Sequence, residues 1–349
     1  MQSGVWRYAA WHADLAPVHR VSRGEGNTGM YFSPRRLSEF AGVDGFWLKH
    51  EGENPTGSFK DRGMCVAISV AKARGFLGVA CASTGNTSAS MASYAAYCGM
   101  KAFVFLPKGK IAMGKLAQAL AYGANTVSID GNFDEALMLC ESLAPRLGIA
   151  LLNSINPFRL EGQKTIIFEI LENLNWEVPD WIVVPGGNLG NVSAFGKALM
   201  ELRNWGVIDR LPRLAVVQAA KASPFVDYFN SGFLRFEACT VPETVATAIR
   251  IGNPVSVKRA KTSIENSNGC VVAVTDEEIL EAKAMVDRVG IGAEPASCAS
   301  VAGLKKLVKS QMIKKDAKVV TVLTGNLMKD TETVISQCFS PSSTAYNPV

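Results

Sequence analysis

The chain has 349 residues, 48% of them hydrophobic and 19% charged, with a formal net charge of +5. That composition excludes an intrinsically disordered chain and provides enough apolar surface for two compact units. The basic residues are scattered and form no block of five or six, which excludes a nucleic-acid footprint and leaves only a mild bias toward a small anionic substrate.

Taken in chain order, Met1–Arg20 shows no basic segment followed by an apolar one. No apolar run anywhere approaches the ~20 residues of a membrane span. A soluble, cytoplasmic protein is expected. From Gly45 onward, short apolar runs alternate with longer segments of helical period. The spacing predicts strands over Phe46–Lys49, Val79–Ala82, Ala102–Leu106, Thr126–Ile129, Ala150–Asn153, Trp181–Val184, Leu214–Gln218 and Val319–Leu323. It predicts helices over Ser58–Arg74, Thr87–Cys98, Met113–Tyr122, Asn132–Leu147, Arg159–Leu174, Gly190–Arg203, Asp276–Val289 and Ala296–Ser310. Such alternation predicts parallel sheets covered on both faces by helices, with ligands bound where strands give way to helices. Lys221–Asn268 is the least regular stretch, and the Ser/Pro-rich tail Ser340–Val349 is expected to fray.

The eight cysteines form no C-x-x-C pair and lie mostly in apolar stretches, so reduced, buried thiols are expected rather than zinc or disulfides. The three histidines, His12, His19 and His50, all lie near the N-terminus, which disfavours a histidine triad or a metal centre elsewhere.

Four loops carry candidate chemistry. In Asn54-Pro-Thr-Gly-Ser-Phe-Lys60-Asp-Arg62, Pro55 and Gly57 make a turn, Ser58 reads as an N-cap, and Lys60 falls in the first helical turn. Positive potential there favours the neutral amine that Schiff-base chemistry needs. Alone, Lys60 reads more readily as a surface lysine in a weak exposed pair with Asp61. In Ala82-Ser-Thr-Gly-Asn86-Thr-Ser88, small polar residues at a strand-to-helix turn suit a carboxylate or phosphate. Pro185-Gly-Gly-Asn-Leu-Gly-Asn191 is glycine-rich, yet no Gly-Lys-Ser/Thr follows and the spacing does not match a dinucleotide fingerprint. Thr321-Val-Leu-Thr324-Gly-Asn326 ends a strand with a hydroxyl followed by glycine.

Together these loops resemble those of the fold-type II pyridoxal-phosphate enzymes, the tryptophan synthase β family, and among them most closely the threonine synthases. The resemblance covers about Gly45 to Asp330. It includes the runs Asn54–Met64, Cys81–Ala89, Gly109–Gln118, Asp130–Asp134, Arg159–Thr165, Ala246–Pro254 and Glu294–Ser297. It implies an α/β fold of two lobes with open, mostly parallel twisted sheets flanked by helices: a smaller lobe over 55–155, and a larger, cofactor-binding lobe over 1–54 and 156–349.

It further implies pyridoxal 5'-phosphate on Lys60, with Asn86 at the phenolic oxygen. Gly187, Asn188, Leu189, Gly190 and Asn191 would lie around the cofactor phosphate, and Thr324 at the pyridine nitrogen. Ser83, Thr84 and Thr87 would take the substrate carboxylate, and Asn153, Ser154 and Arg159 the substrate phosphate. No metal is implied. The implied reaction turns O-phospho-L-homoserine and water into threonine and phosphate, with Lys60 moving the protons, in a homodimer. The same scaffold hosts threonine/serine dehydratases and synthases that perform β-replacement on a phosphorylated amino acid. Recognition of a substrate phosphate by Arg159 separates these readings. The chain departs from the family's usual pattern at Glu25–Met30, at Leu189, where alanine is commoner, and at Leu327, where a second glycine is commoner.

Overall fold

A computed structural model of the chain describes residues 3–12, 14–108, 113–131 and 133–339. The sequence readings that fall on 109–112, on Asn132 and on the tail from Ser340 lie outside the described residues. In chain order the strands are β1 (Met30–Phe32), β2 (Trp47–His50), β3 (Gly78–Ala82), β4 (Lys101–Pro107), β5 (Asn125–Ile129), β6 (Ile149–Leu151), β7 (Trp181–Pro185), β8 (Arg213–Ala219), β9 (Cys270–Val274) and β10 (Val319–Leu323). The helices are α1 (Arg35–Ala41), α2 (Lys60–Ala73), α3 (Asn86–Tyr97), α4 (Met113–Ala121), α5 (Phe133–Arg146), α6 (Pro157–Gln163), α7 (Thr165–Asn173), α8 (Gly190–Asn204), α9 (Pro224–Asn230), α10 (Val257–Asn266), α11 (Asp276–Arg288), α12 (Pro295–Lys309) and α13 (Thr331–Phe339).

The chain divides into two compact units, one formed by Met1–Asn27 with Asn54–Thr165, the other by Thr28–Glu53 with Ile166–Val349. The first is built on a four-stranded sheet in the order β5-β4-β3-β6, parallel throughout. Helices α2, α3 and α4 pack together, with α3 against β3 and β4, while α5 packs on β3, β4 and β6. Met64, Ile68, Val79, Met91, Tyr94, Val104 and Leu116 form much of this core.

The second unit is built on a six-stranded sheet in the order β1-β2-β10-β7-β8-β9, in which only the β1–β2 pair is antiparallel. Its interior strands read Trp-Ile-Val-Val-Pro (β7) and Val-Val-Thr-Val-Leu (β10), and every residue in both is buried. Such β-branched, unbroken apolar runs are what a strand covered on both faces requires. Helix α12 packs on β7 to β10, and α10 packs on α8 and β8.

All eight expected strands are present, with ends within two residues of the expectation. The helix expected over Arg159–Leu174 is two helices, α6 and α7, separated at Lys164. The Thr165 hydroxyl turns back to the Gly162 carbonyl at 2.6 Å across this break. Ser58 does not cap α2: the helix begins at Lys60, no side chain caps it, and the buried Ser58 hydroxyl has no hydrogen-bond partner.

Candidate functional site

Lys60 opens α2, and the residue after it fixes its surroundings. The Asp61 carboxylate is fully buried and accepts the Thr56 backbone N–H and hydroxyl, each at 2.6 Å, and the Ser90 hydroxyl at 2.5 Å. Thr56 belongs to the turn before Lys60, and Ser90 to α3, so one carboxylate ties the lysine's turn to the helix that begins at Asn86. Burial pushes the Asp61 carboxyl up to about 6 despite these donors. Deeper in the same unit the buried Glu25 accepts the Tyr94 hydroxyl at 2.8 Å, which anchors α3 a second time.

Asn86 is the first residue of α3, and Ser83, Thr84 and Thr87 surround its N-terminus, all partly accessible. The Ser83 hydroxyl accepts the Gly85 N–H at 3.2 Å. A Cβ added to Gly85 would meet nothing within 4 Å, so the backbone here faces open space. A 12-residue helix starting at an open, small-residue turn suits a carboxylate.

The substrate-phosphate candidates belong to the same unit. The Asn153 side chain acts as an extra residue of sheet: its Oδ1 accepts the Ala82 N–H and its Nδ2 donates to the Ala82 carbonyl, both at 3.1 Å. It therefore fixes the end of β3, from which the Ser83 turn springs. Ser154 is partly accessible. Arg159, on α6, is 2% exposed. Its Nη1 donates to the Leu152 carbonyl at 3.3 Å, its Nε has no partner, and among the described residues no carboxylate pairs with it. Burial lowers its pKa to about 10, which still leaves it charged at neutral pH.

In the second unit, the turn after β7 carries the glycine-rich run into α8. A Cβ at Gly186 would lie 2.5 Å from Val216 Cγ1, and one at Gly187 would lie 3.1 Å from Ile249 Cα. Leu189 holds a left-handed conformation (φ 61°) just before α8. Gln218, a residue the sequence reading passed over, braces the turn: its Nε2 donates to the Gly186 carbonyl at 3.1 Å. Its Oε1 accepts the Phe225 and Val226 N–H groups at the start of α9. Asn191 is buried in the first turn of α8. The Ser256 hydroxyl, next to this run, is buried without any partner.

Thr324, at the end of β10, is 5% exposed and is held by Ser297. The two hydroxyls are 3.1 Å apart, and Ser297 Oγ also accepts the Gly325 N–H at 2.8 Å. Ser297 lies in the run Glu294–Ser297, but only its contact with Thr324 reveals its positioning role.

These donor sets fit pyridoxal phosphate. A lysine begins a helix, a glycine-rich turn with an unpaired buried hydroxyl beside it begins another, and a buried hydroxyl ends a strand. Among the described residues no cluster of three or more His, Cys, Asp or Glu side chains could hold a metal. No described helix is long and apolar enough to cross a membrane.

Comparison with known proteins agrees with this chemistry. Residues 21–325 match the family described as pyridoxal-phosphate dependent enzyme. Solved structures share the fold: maize serine racemase superposes with a TM-score of 0.76 over 90% of this chain and 92% of the other at 20% identity. The processed form of threonine deaminase isoform 2 from Solanum lycopersicum superposes with a TM-score of 0.77 over 97% and 93% at 20% identity. The chain thus belongs to the pyridoxal-phosphate-dependent enzymes of fold-type II. Its sequence places it more narrowly. It is 51% identical to the threonine synthase of Methanosarcina acetivorans, covering 97% of this chain and 83% of that one. It is 49% identical to the threonine synthase of Methanocaldococcus jannaschii, covering 97% and 84%. Within the wider family the chain is a member of the threonine synthases.

Proposed function

We propose that the chain converts O-phospho-L-homoserine and water to L-threonine and phosphate. Arg159 carries this reading. A guanidinium that is 2% exposed and has no carboxylate partner among the described residues is expensive to bury. A phosphorylated substrate supplies the missing anion, and the planar fork of arginine suits it. A dehydratase acting on threonine or serine brings no such group.

Bound pyridoxal phosphate supplies an electron sink for charge that develops at the substrate's α carbon. Lys60 would hold it covalently, Asn86 would bond its phenolic oxygen, the Gly187–Asn191 run would take its phosphate, and Thr324 would face its pyridine nitrogen. Ser297 keeps the Thr324 hydroxyl aimed. The Lys60 amine would take the α proton and then a β proton, returning one at the γ carbon and the other at the α carbon. Arg159, with Ser154 and the remaining N–H of Asn153, holds the γ-phosphate as it leaves; Ser83, Thr84 and Thr87 hold the carboxylate. Water then adds at the β carbon. The threonine synthase reading extends to a cytoplasmic homodimer, which size-exclusion chromatography with light scattering checks.

The test is phosphate release and threonine formation from O-phosphohomoserine. Arg159→Ala should lower kcat/KM about 10²- to 10³-fold, the equivalent of two charge-assisted hydrogen bonds. It should leave any side elimination from threonine unchanged. Wild-type protein that releases phosphate without making threonine, or an Arg159→Ala variant of normal efficiency, overturns the assignment.

A further inference from the structure

Ser256 stands immediately before α10, and its carbonyl accepts the Ala260 N–H at 2.9 Å, but its side chain does not serve that helix. Its backbone (φ −102°, ψ 24°) is not that of a capping residue, and its side chain accepts no helix N–H. The residue is 3% exposed, and its hydroxyl oxygen is buried without a hydrogen-bond partner. A buried hydroxyl left unpaired is destabilising, so its presence calls for a ligand.

The surroundings say which ligand. The Ser256 N–H donates to the Asn188 carbonyl at 3.3 Å, and the Val255 N–H to Asn188 Oδ1 at 3.4 Å. Residues 255 and 256 therefore grip the middle of the glycine-rich turn. Eight residues past Asn188 and seven past Ser256, the chains are again in contact: a Cβ at Gly196 on α8 would lie 2.1 Å from Ser263 Oγ on α10. The contacts step forward together, from Asn188 with Ser256 to Gly196 with Ser263, so α8 and α10 run parallel and side by side. Both present their N-termini at Asn188. Two aligned macrodipoles repel, and an anion at their shared positive end offsets that repulsion. A single helix N-terminus suits a carboxylate or phosphate; a paired one, with a glycine turn and a spare hydroxyl, favours a dianion.

We propose that Ser256 and the N-terminus of α10 form the second half of the anion site at Gly187–Asn191, the Ser256 hydroxyl donating to the phosphate of pyridoxal phosphate. This rests on the assignment of that turn to the cofactor phosphate. The hydroxyl is a positioning group for the cofactor and takes no part in proton transfer.

The experiment measures binding of pyridoxal phosphate, and of pyridoxal without phosphate, to apoprotein by equilibrium dialysis, together with apoprotein thermal unfolding. Ser256→Ala should weaken pyridoxal phosphate about 10- to 100-fold, as expected for a hydrogen bond to a charged group. Pyridoxal affinity should not change. The apoprotein should melt at the same temperature or higher, because an unsatisfied group has been removed. Ser256→Cys, a weaker donor of similar size, should fall between wild type and alanine. Equal pyridoxal phosphate affinity in wild type and Ser256→Ala overturns the proposal. So does an equal loss for both ligands, or a lower apoprotein melting temperature, either of which marks a packing role. Asn188→Asp is the control for the underlying assignment. It is isosteric and puts a negative charge in the turn, so it should abolish phosphate-dependent binding. Unimpaired pyridoxal phosphate binding by Asn188→Asp would remove the turn itself from the cofactor site, whatever Ser256→Ala does.

Discussion

Asp61 shows how much one buried carboxylate controls. Three hydrogen bonds from Thr56 and Ser90 draw its pKa down, but burial outweighs them and raises it from 3.8 to about 6. A folded-state pKa above the unfolded one means that folding favours the protonated acid. Its stabilising contribution is therefore complete below pH 3.8 and is lost as pH rises through about 6. A shift of this size is worth about 3 kcal/mol for so buried a group. Asp61→Asn keeps an acceptor for the Thr56 N–H and removes the titration. In denaturant melts across pH 4 to 7, the stability of the variant relative to wild type should climb by about 2–3 kcal/mol; parallel profiles would sink the idea. At this scale the sequence showed which residues to examine but not their states. The resemblance pointed to Arg159, yet its lack of a carboxylate partner depends on what α6 packs against. Ser297 and Gln218 act through contacts 27 and 32 residues away in sequence, which local spacing does not register.

Among the described elements, α2 and α6 pack against each other most extensively. Gly63 on α2 faces Arg159, with an added Cβ only 3.0 Å from the Arg159 carbonyl oxygen. Gly162 on α6 faces α2 in return, and a Cβ there would come within 1.8 Å of the Arg62 carbonyl oxygen. These two glycines let the helix that starts at Lys60 and the helix that carries Arg159 meet backbone to backbone. Gly162→Ala must push them apart. We expect a loss of roughly 3 kcal/mol or more, as overpacking against backbone costs at least the upper end of the usual range. Calorimetry should show the lowered melting temperature, and KM for the phosphorylated substrate should rise with the displaced Arg159; an unshifted melt would refute the close packing. Strands covered on both faces were legible because unbroken β-branched runs such as β7 and β10 fit nothing else. What escaped was shorter or more polar. β1 is a three-residue edge strand, largely exposed, and α10 (Val-Lys-Arg-Ala-Lys-Thr-Ser-Ile-Glu-Asn) buries only Ala260, Ser263 and Ile264. A helix with so narrow an apolar stripe reads as loop, and the Ser256 site went unseen with it.

The largest scale is set by chain order within the six-stranded sheet. β10, the last strand in chain order among the described residues, lies between β2 and β7, with Val320 paired both to Trp47 and to Ile182. The first of these pairings spans most of the chain, so loop-closure entropy must be overcome before the sheet is whole. Until then β7 lacks a neighbour on one side, and β2 has only β1. All five residues of β10 are buried, so no exposed edge can substitute for them. The four-stranded sheet of the other unit needs nothing beyond Thr165. A chain ended before Val319 should therefore lose amide protection across Trp181–Pro185 and Trp47–His50, while Gly78–Ala82 and Lys101–Pro107 stay protected. Hydrogen exchange read by mass spectrometry distinguishes these segments directly. Retained protection in β7 without β10 would mean that the larger sheet closes without its central strand; loss of protection in β3 and β4 as well would mean that the two units fold only as one.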